Sequence, residues 1–275
     1  MVNVVMEIAR VGASAFSLFM CMSPAPSLYK IHKNKHCGEV VVIPLLSLWG
    51  NCHLWTLYGY LTENLFPVFL TFITGEVFSW IYLIVYYRYT TERKYMRKFV
   101  IIQFLALLAV TIYALSGEYM LGITSQSKST VGDVVGWIAV TVCVLLFASP
   151  LATIRRVIRT KNAASFPIAL CVVGFVGNSL WVIYGSMIGD LFMWGSNAIC
   201  VALGFVQIIV YIIYNPSKKV NQEHRELLEV DLEKKISVVI SPRSNTSTDE
   251  ADSGSNNDAQ VFHAMQSPRE PQPTY

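Results

Sequence analysis

Apolar residues fall in seven long runs along the chain, at roughly 8–29, 40–61, 66–87, 99–117, 131–154, 166–187 and 190–213. Each run approaches or exceeds the length a helix needs to cross a hydrocarbon core of about 30 Å. Short polar segments separate the runs, and from Asn215-Pro216 onward the chain turns polar. The pattern predicts an all-α integral membrane fold of seven transmembrane helices, followed by a tail outside the bilayer. Composition agrees. With 53% hydrophobic residues, 14% charged residues and a mean hydropathy of +0.46, the chain carries more apolar surface than one soluble core of 275 residues accommodates. Glu7 and Arg10 stand at the start of the first run, which argues for a helix starting at the membrane edge and against a cleavable leader.

The runs repeat. Ser23-Pro24 and the basic stretch after it match Ser149-Pro150 and its basic stretch, 126 residues later. Trp55-Thr56-Leu57-Tyr58-Gly59 matches Trp181-Val182-Ile183-Tyr184-Gly185 at the same offset, and Tyr86 to Tyr89 matches Tyr211 to Tyr214 at 125. Runs one to three therefore form one unit and runs five to seven a second. Run four is left as a single linker helix that reverses the chain, so the two three-helix units lie parallel in a 3+1+3 arrangement. Duplicated units of this kind are a recurrent plan of membrane carriers. The boundaries expected are 1–97 for the first repeat, 98–130 for the linker helix and its following loop, 131–214 for the second repeat and 215–275 for the tail.

Basic residues cluster at 30–36 (Lys30, Lys33, Lys35), 88–98 (Arg88, Arg93, Lys94, Arg97, Lys98) and 155–161 (Arg155, Arg156, Arg159, Lys161). Those segments read as loops on one side of the membrane. The opposite loops, at about 61–65, 117–131 and 187–191, hold only Lys128, so the positive-inside rule places the N-terminus outside and the C-terminus in the cytosol. Acidic residues concentrate beyond position 216. The 241–275 stretch is rich in Ser, Asn, Asp, Gln and Pro, too polar to fold by itself. Within the tail, Leu227, Leu228, Val230, Leu232 and Ile236 among Glu and Lys predict a short amphipathic helix over roughly 220–238. Asn245-Thr246-Ser247 fits a glycosylation pattern on the wrong side for that modification, and Ser241-Pro242 and Ser267-Pro268 read as phosphorylation positions.

Four prolines, Pro24, Pro44, Pro150 and Pro167, lie inside or at the mouths of predicted spans at matching places in the two repeats. Proline removes a backbone donor and bends a helix, so the four are candidate hinges. Trp55 and Trp181 sit well inside their spans and repeat each other, which argues for an internal pocket rather than an interfacial belt. Asn197 is a candidate pocket residue, whereas Asn51 and Asn178 could hold helices together by hydrogen bonds. Glu76 is an acid well inside a span and so a functional candidate by default. The opposing reading stabilises it through a partner such as Ser79 or Thr74, and treats His53 as a hydrogen-bonded interior residue. The six cysteines show no Cys-x-x-Cys pairing and read as small apolar packing residues. No phosphate-binding glycine loop, metal-ligand spacing or nucleophile-and-base pattern is present, so the sequence predicts no enzyme activity, no cofactor and no metal. The basic segments are explained by topology, which leaves nucleic acid out.

The Ser-Pro near the end of span one, its basic continuation, Pro44 and Pro167 at the next span, the paired Trp-x-x-Tyr-Gly, and Asn197 followed by Gly204 and Gln207 together resemble the SWEET sugar transporters, the MtN3/saliva repeat type, over roughly 12–214. The resemblance implies a passive, bidirectional carrier that rocks between outward and inward openings about the four prolines and holds a mono- or disaccharide near the midplane. It implies a sugar site formed by Trp55, Trp181, Asn197 and Phe72, the last standing where the family usually has asparagine. Thr71 and Thr74 flank Phe72 and could supply a replacement hydroxyl, though helical geometry points them about 100° to either side, and the exchange equally fits a carrier of low affinity. Side-chain bulk at Met20, Asn51, Leu146 and Gly177 is implied to set selectivity; three of the four are sizeable, favouring a hexose, while Gly177 opens one side. The resemblance also implies the lipid bilayer as host, the plasma membrane first with Golgi or vacuole as alternatives, and a tendency to homo-oligomerise. Two other functions compete: a proton-coupled carrier of another solute such as an amino acid, using Glu76, and a seven-helix receptor, which the internal repeat disfavours.

Overall fold

A computed structural model describes residues 2–38, 40–119, 126–146, 148–163, 167–215, 225 and 227–233, and the described residues are helices and their connections. Two units divide the chain, 1–223 and 224–275. The first holds α1 (Val2–Met22), α2 (Ala25–Asn34), α3 (Ile43–Leu61), α4 (Leu70–Tyr89, entered through one wide turn at Leu65–Phe69), α5 (Arg93–Tyr119), α6 (Lys128–Leu146), α7 (Ala148–Thr160), α8 (Ile168–Ile188) and α9 (Leu191–Ile213). In the second, 227–233 is helical and its residues are exposed, inside the tail helix expected from sequence. Ile236, Ser241, Asn245 and Ser267 lie outside the described residues.

Six stretches are long and apolar enough to cross a membrane by length and composition, with α1–α2 and α6–α7 each counting as one. The seventh span is α3, whose 19 residues rise about 28 Å. Its lower hydropathy has a physical cause. Ser47, Asn51, His53, Thr56, Trp49 and Trp55 ride on it, and most of the helix is buried by protein, so its polar groups never meet lipid.

Three of the expected loops are helical. Lys30 and Lys33 sit on α2, Arg155, Arg156 and Arg159 on α7, and Arg93 to Lys98 on the first turns of α5. Apolar runs stop where charge begins, but Lys and Arg are good helix formers and are favoured in a helix's last turn, so α2 and α7 continue past the hydrocarbon. The first span is thus a broken helix: Pro24 caps α2 at the break. Its counterpart Pro150 lies within the helical residues of α7. Pro44 is the second residue of α3 and Pro167 precedes α8. Pro24, Pro44 and Pro167 occupy helix-start positions, where a missing N–H removes no helical hydrogen bond.

The two repeats pack alike. In each, the third helix (α4 or α9) packs against both the first span and the second. Across the interface α1 lies on α8 and α6 lies on α3, and the linker helix α5 packs on α3 and α6. The turns after α2 and α7 match in detail. Lys35 and Lys161 both take left-handed backbone (φ 62° and 53°), and each ammonium lies over a tyrosine ring, of Tyr89 at 5.1 Å and of Tyr214 at 4.8 Å. Each also donates to that tyrosine's hydroxyl, at 3.2 and 3.0 Å.

Candidate functional site: a cavity between the repeats

The paired Trp-x-x-Tyr-Gly motifs converge at one end of the repeat interface. The Tyr58 hydroxyl donates to the Asp190 carboxylate at 2.9 Å, and the Asn64 amide donates to the Tyr184 hydroxyl at 3.1 Å. Asn64 and Asp190 are themselves 126 residues apart and precede the third helix of their repeats, so the two bonds form a pseudo-symmetric clasp. Asp190 also caps α9, accepting from the Met193 N–H at 2.9 Å. The glycine of each motif lets the third helix pass at contact distance. A Cβ at Gly59 would lie 2.8 Å from the Phe69 nitrogen, and one at Gly185 would lie 2.8 Å from the Trp194 nitrogen.

Next to the clasp the tryptophans turn inward. Trp55 and Trp181 are 5% and 3% exposed and stack on opposite sides of Phe72, at 6.0 and 5.8 Å between ring centroids with planes 25° and 26° apart. Each meets its own motif's tyrosine edge-on, Trp55 with Tyr58 at 5.4 Å and Trp181 with Tyr184 at 6.1 Å. A row of five rings therefore crosses from one repeat to the other with Phe72 at its centre. The Trp181 Nε1–H donates to Ser17 Oγ of α1 at 2.7 Å, another tie between repeats.

From this aromatic row a cavity of about 470 Å³ extends toward Pro24 and Pro44 at the other end of the bundle. Such a volume is ordinary for a small-molecule site. Its lining includes Trp55, Trp181, Asn197, Phe72, Asn51, Gly177 and Met20, seven of the eight sugar-site residues expected from sequence. Leu146 lies on α6, but its side chain falls outside the described part.

Several details differ from expectation. Asn178 also lines the cavity, and neither it nor Asn51 hydrogen-bonds another described residue, so both present free amides to a guest instead of joining helices. Sequence reasoning offered Thr71 and Thr74 as substitutes for the missing amide at position 72. Thr71 is instead buried and donates to Ser14 at 2.8 Å, while exposed Thr74 donates back to the Leu70 carbonyl, because a residue one or two positions along a helix points to another face. Ser47 and Ser196, not foreseen, are among the lining hydroxyls. Gly177 does not open a side of the pocket. Phe16 of α1 fills that space, its Cβ 2.9 Å from where a glycine Cβ would stand, so the small residue serves close packing of α1 on α8. Cys21, Cys143 and Cys200 line the cavity, and the sulfurs of Cys21 and Cys52 pack against Gly75.

Glu76 has a partner that sequence proximity did not suggest. His53 Nδ1 lies 2.8 Å from its Oε1, and His53 Nε2 lies 2.8 Å from Thr111 Oγ1 of α5. Thr111 gives its own hydrogen to the Leu107 carbonyl, so Nε2 is the donor to Thr111 and one proton bridges histidine and carboxylate. The group joins α3, α4 and the linker helix. Matching positions of repeat two hold Ser179 and Val201, so this tie belongs to repeat one alone. His53→Leu should strand the carboxylate in a largely buried setting at about 1–3 kcal/mol, lowering the melting temperature of the detergent-solubilised protein by roughly 3–10 °C. Glu76→Gln, which keeps an acceptor for histidine, should lose less. Equal melting for both variants and the native chain would remove any structural weight from this group.

A profile of the family described as "Sugar efflux transporter for intercellular exchange" matches residues 9–94 and 133–219, one match to each repeat and well over half the chain. The chain belongs to the SWEET family. It is 30% identical over 233 residues to the Arabidopsis thaliana "Bidirectional sugar transporter SWEET7", covering 82% of this chain and 86% of that one. It is 27% identical over 220 residues to the "Sugar transporter SWEET1" of Drosophila pseudoobscura pseudoobscura, with 80% and 94% covered. The solved structure titled "The 3.7 A resolution structure of a eukaryotic SWEET transporter" superposes with a TM-score of 0.66 at 21% identity, over 78% of this chain and 98% of that chain, and shows the same fold. SWEET membership makes the chain a membrane transporter and not an enzyme, and it sets aside the receptor reading.

Proposed function

We propose that this SWEET is a facilitative, bidirectional sugar carrier that favours hexoses. The observation that carries the proposal is a cavity at the repeat interface that combines flat rings with amides that keep hydrogen-bonding capacity for a guest. A sugar has hydroxyls around its rim and C–H faces above and below, which amides and aromatic rings respectively satisfy. Trp55 and Trp181 supply rings; Asn197, Asn51 and Asn178 supply amides. Both the curated relatives above carry sugar transport in their names, which supports the same cargo here.

The mechanism proposed is alternating access, with residues 1–97 and 131–214 as the bodies that rock and 98–130 as their connection. The clasp of Tyr58, Asp190, Asn64 and Tyr184 closes one end, and the cavity reaches Pro24 and Pro44 at the other. With the basic helix ends in the cytosol, this is the inward-facing form, with the N-terminus outside, the C-terminus in the cytosol and the plasma membrane as host. Rocking to the outward form requires the clasp to break while the proline-bearing ends approach. Pro24, at the break of the first span, and its counterpart Pro150 are where the bend is absorbed.

The test is uptake of labelled glucose, fructose and sucrose by cells lacking their own sugar carriers, with and without a protonophore. Saturable uptake of the hexoses above sucrose, unchanged by the protonophore, is expected. Protein at the surface that moves no sugar, or whose uptake collapses with the protonophore, would replace this reading with a proton-coupled carrier using Glu76, and labelled amino acids would be tried next.

A further inference from the structure

The two halves of the cavity wall come from matched positions, and one pair is chemically unequal. Asn197 stands fourteen residues before Tyr211 and Phe72 fourteen before Tyr86, so they are counterparts on α9 and α4. Both line the same cavity. Asn197 donates one amide hydrogen to the Met193 carbonyl at 2.8 Å and keeps its Oδ1 for a guest. Phe72 offers no donor or acceptor. Its ring is held between Trp55 and Trp181 at 6.0 and 5.8 Å, so it cannot turn aside without undoing both stacks. The neighbouring hydroxyl of Thr71 is committed to Ser14 on another face.

A fully hydroxylated hexose does not share this asymmetry, since polar groups occupy every edge of its rim. A hydroxyl pressed against Phe72 gives up water and gains no partner, which weakens binding. Hydroxyls facing Asn197, Asn51 or Asn178 are matched, and deleting one of those leaves a buried amide unpaired. We propose that the cavity prefers a monodeoxyhexose, lacking the hydroxyl that packs on Phe72, over the parent hexose. This rests on the chain being a sugar carrier and narrows the class of sugar.

The experiment is competition of 2-, 3-, 4- and 6-deoxyglucose against uptake of labelled glucose by cells expressing the full chain. Expected is a result of mixed sign: one analogue competes at least about fivefold better than glucose, while others compete at least about fivefold worse. Phe72→Asn, which restores an amide, should abolish the advantage of that one analogue, and Phe72→Leu, still apolar, should keep it. If the asparagine variant does not reach the surface, the native ranking and the leucine variant decide. Four analogues that all match or trail glucose on the native chain would overturn the proposal, as would an unchanged ranking in Phe72→Asn. If surface protein carries no glucose at all, the sugar-carrier reading falls along with it; if glucose is carried but the ranking is flat, only the deoxyhexose preference falls.

Discussion

Gly185→Val should remove the folded transporter from the membrane, and Gly59→Val should do the same. At Gly185 a Cβ would stand 2.8 Å from the Trp194 nitrogen, 3.1 Å from the Trp194 Cβ and 3.2 Å from the Met193 Cβ. At Gly59 the neighbours are the Phe69 nitrogen at 2.8 Å, Val68 Cγ1 at 2.9 Å and the Phe69 Cα at 3.1 Å. Most of these atoms belong to backbone or to Cβ positions, which no rotamer change can move. The second helix must therefore separate from the third, and α9 or α4 carries with it a clasp partner at its start and Asn197 or Phe72 farther along. Alanine at either site costs about 1–3 kcal/mol by overpacking. Valine adds two more carbons in the same gap. Size-exclusion profiles and melting of the solubilised protein should show at least a tenfold loss of the monodisperse species for valine and a lowered melting temperature for alanine. Gly195→Ala is the control: a Cβ there meets nothing within 4 Å, and mid-helix alanine should be neutral or gain about 0.5–1 kcal/mol. Wild-type behaviour of both valine variants would show that the helices separate at no cost, and the close crossing would lose its role.

The glycine result marks where sequence reading stops. The period of 126 residues located both motifs, and the apolar runs located all seven spans, because bilayer thickness constrains run length whatever the packing. Neither says that Gly59 faces Phe69 or that Gly185 faces Trp194, since that depends on how two helices cross. The same limit explains Glu76. Its partner His53 is 23 residues away on another helix, and only the packing of α3, α4 and α5 brings the two together with Thr111. The helical continuation of α2 and α7 was hidden for a different reason: hydropathy tracks the hydrocarbon, and these helices run beyond it. Position 72 was legible as a departure from the repeat's own asparagine, but its place as the centre of a five-ring row was not, because ring geometry follows from facing repeats.

That row gives the largest effect expected on transport itself. Trp181→Ala should reduce uptake per surface molecule at least a hundredfold. Trp181 is 3% exposed, and removing so large a buried side chain costs about 3–5 kcal/mol where the site cannot collapse. Here the loss falls at the join between repeats. Phe72 keeps Trp55 on one side and faces a void on the other, Tyr184 loses the ring it meets edge-on, and Ser17 loses the indole donor at 2.7 Å. Two links between the repeats, one contact within α8 and one wall of the cavity disappear together. Trp181→Phe separates the contributions. It keeps a ring for Phe72 and Tyr184 but cannot donate to Ser17, so it should lose about one hydrogen bond, roughly 1 kcal/mol or fivefold in uptake. Uptake normalised to surface protein for the two variants decides between stacking and hydrogen bonding. If phenylalanine transports as poorly as alanine, the bond to Ser17 is what ties α8 to α1, and the stack on Phe72 is passive. If phenylalanine retains most of the activity, ring-on-ring contact across Phe72 carries both the wall of the site and the coupling of one repeat to the other.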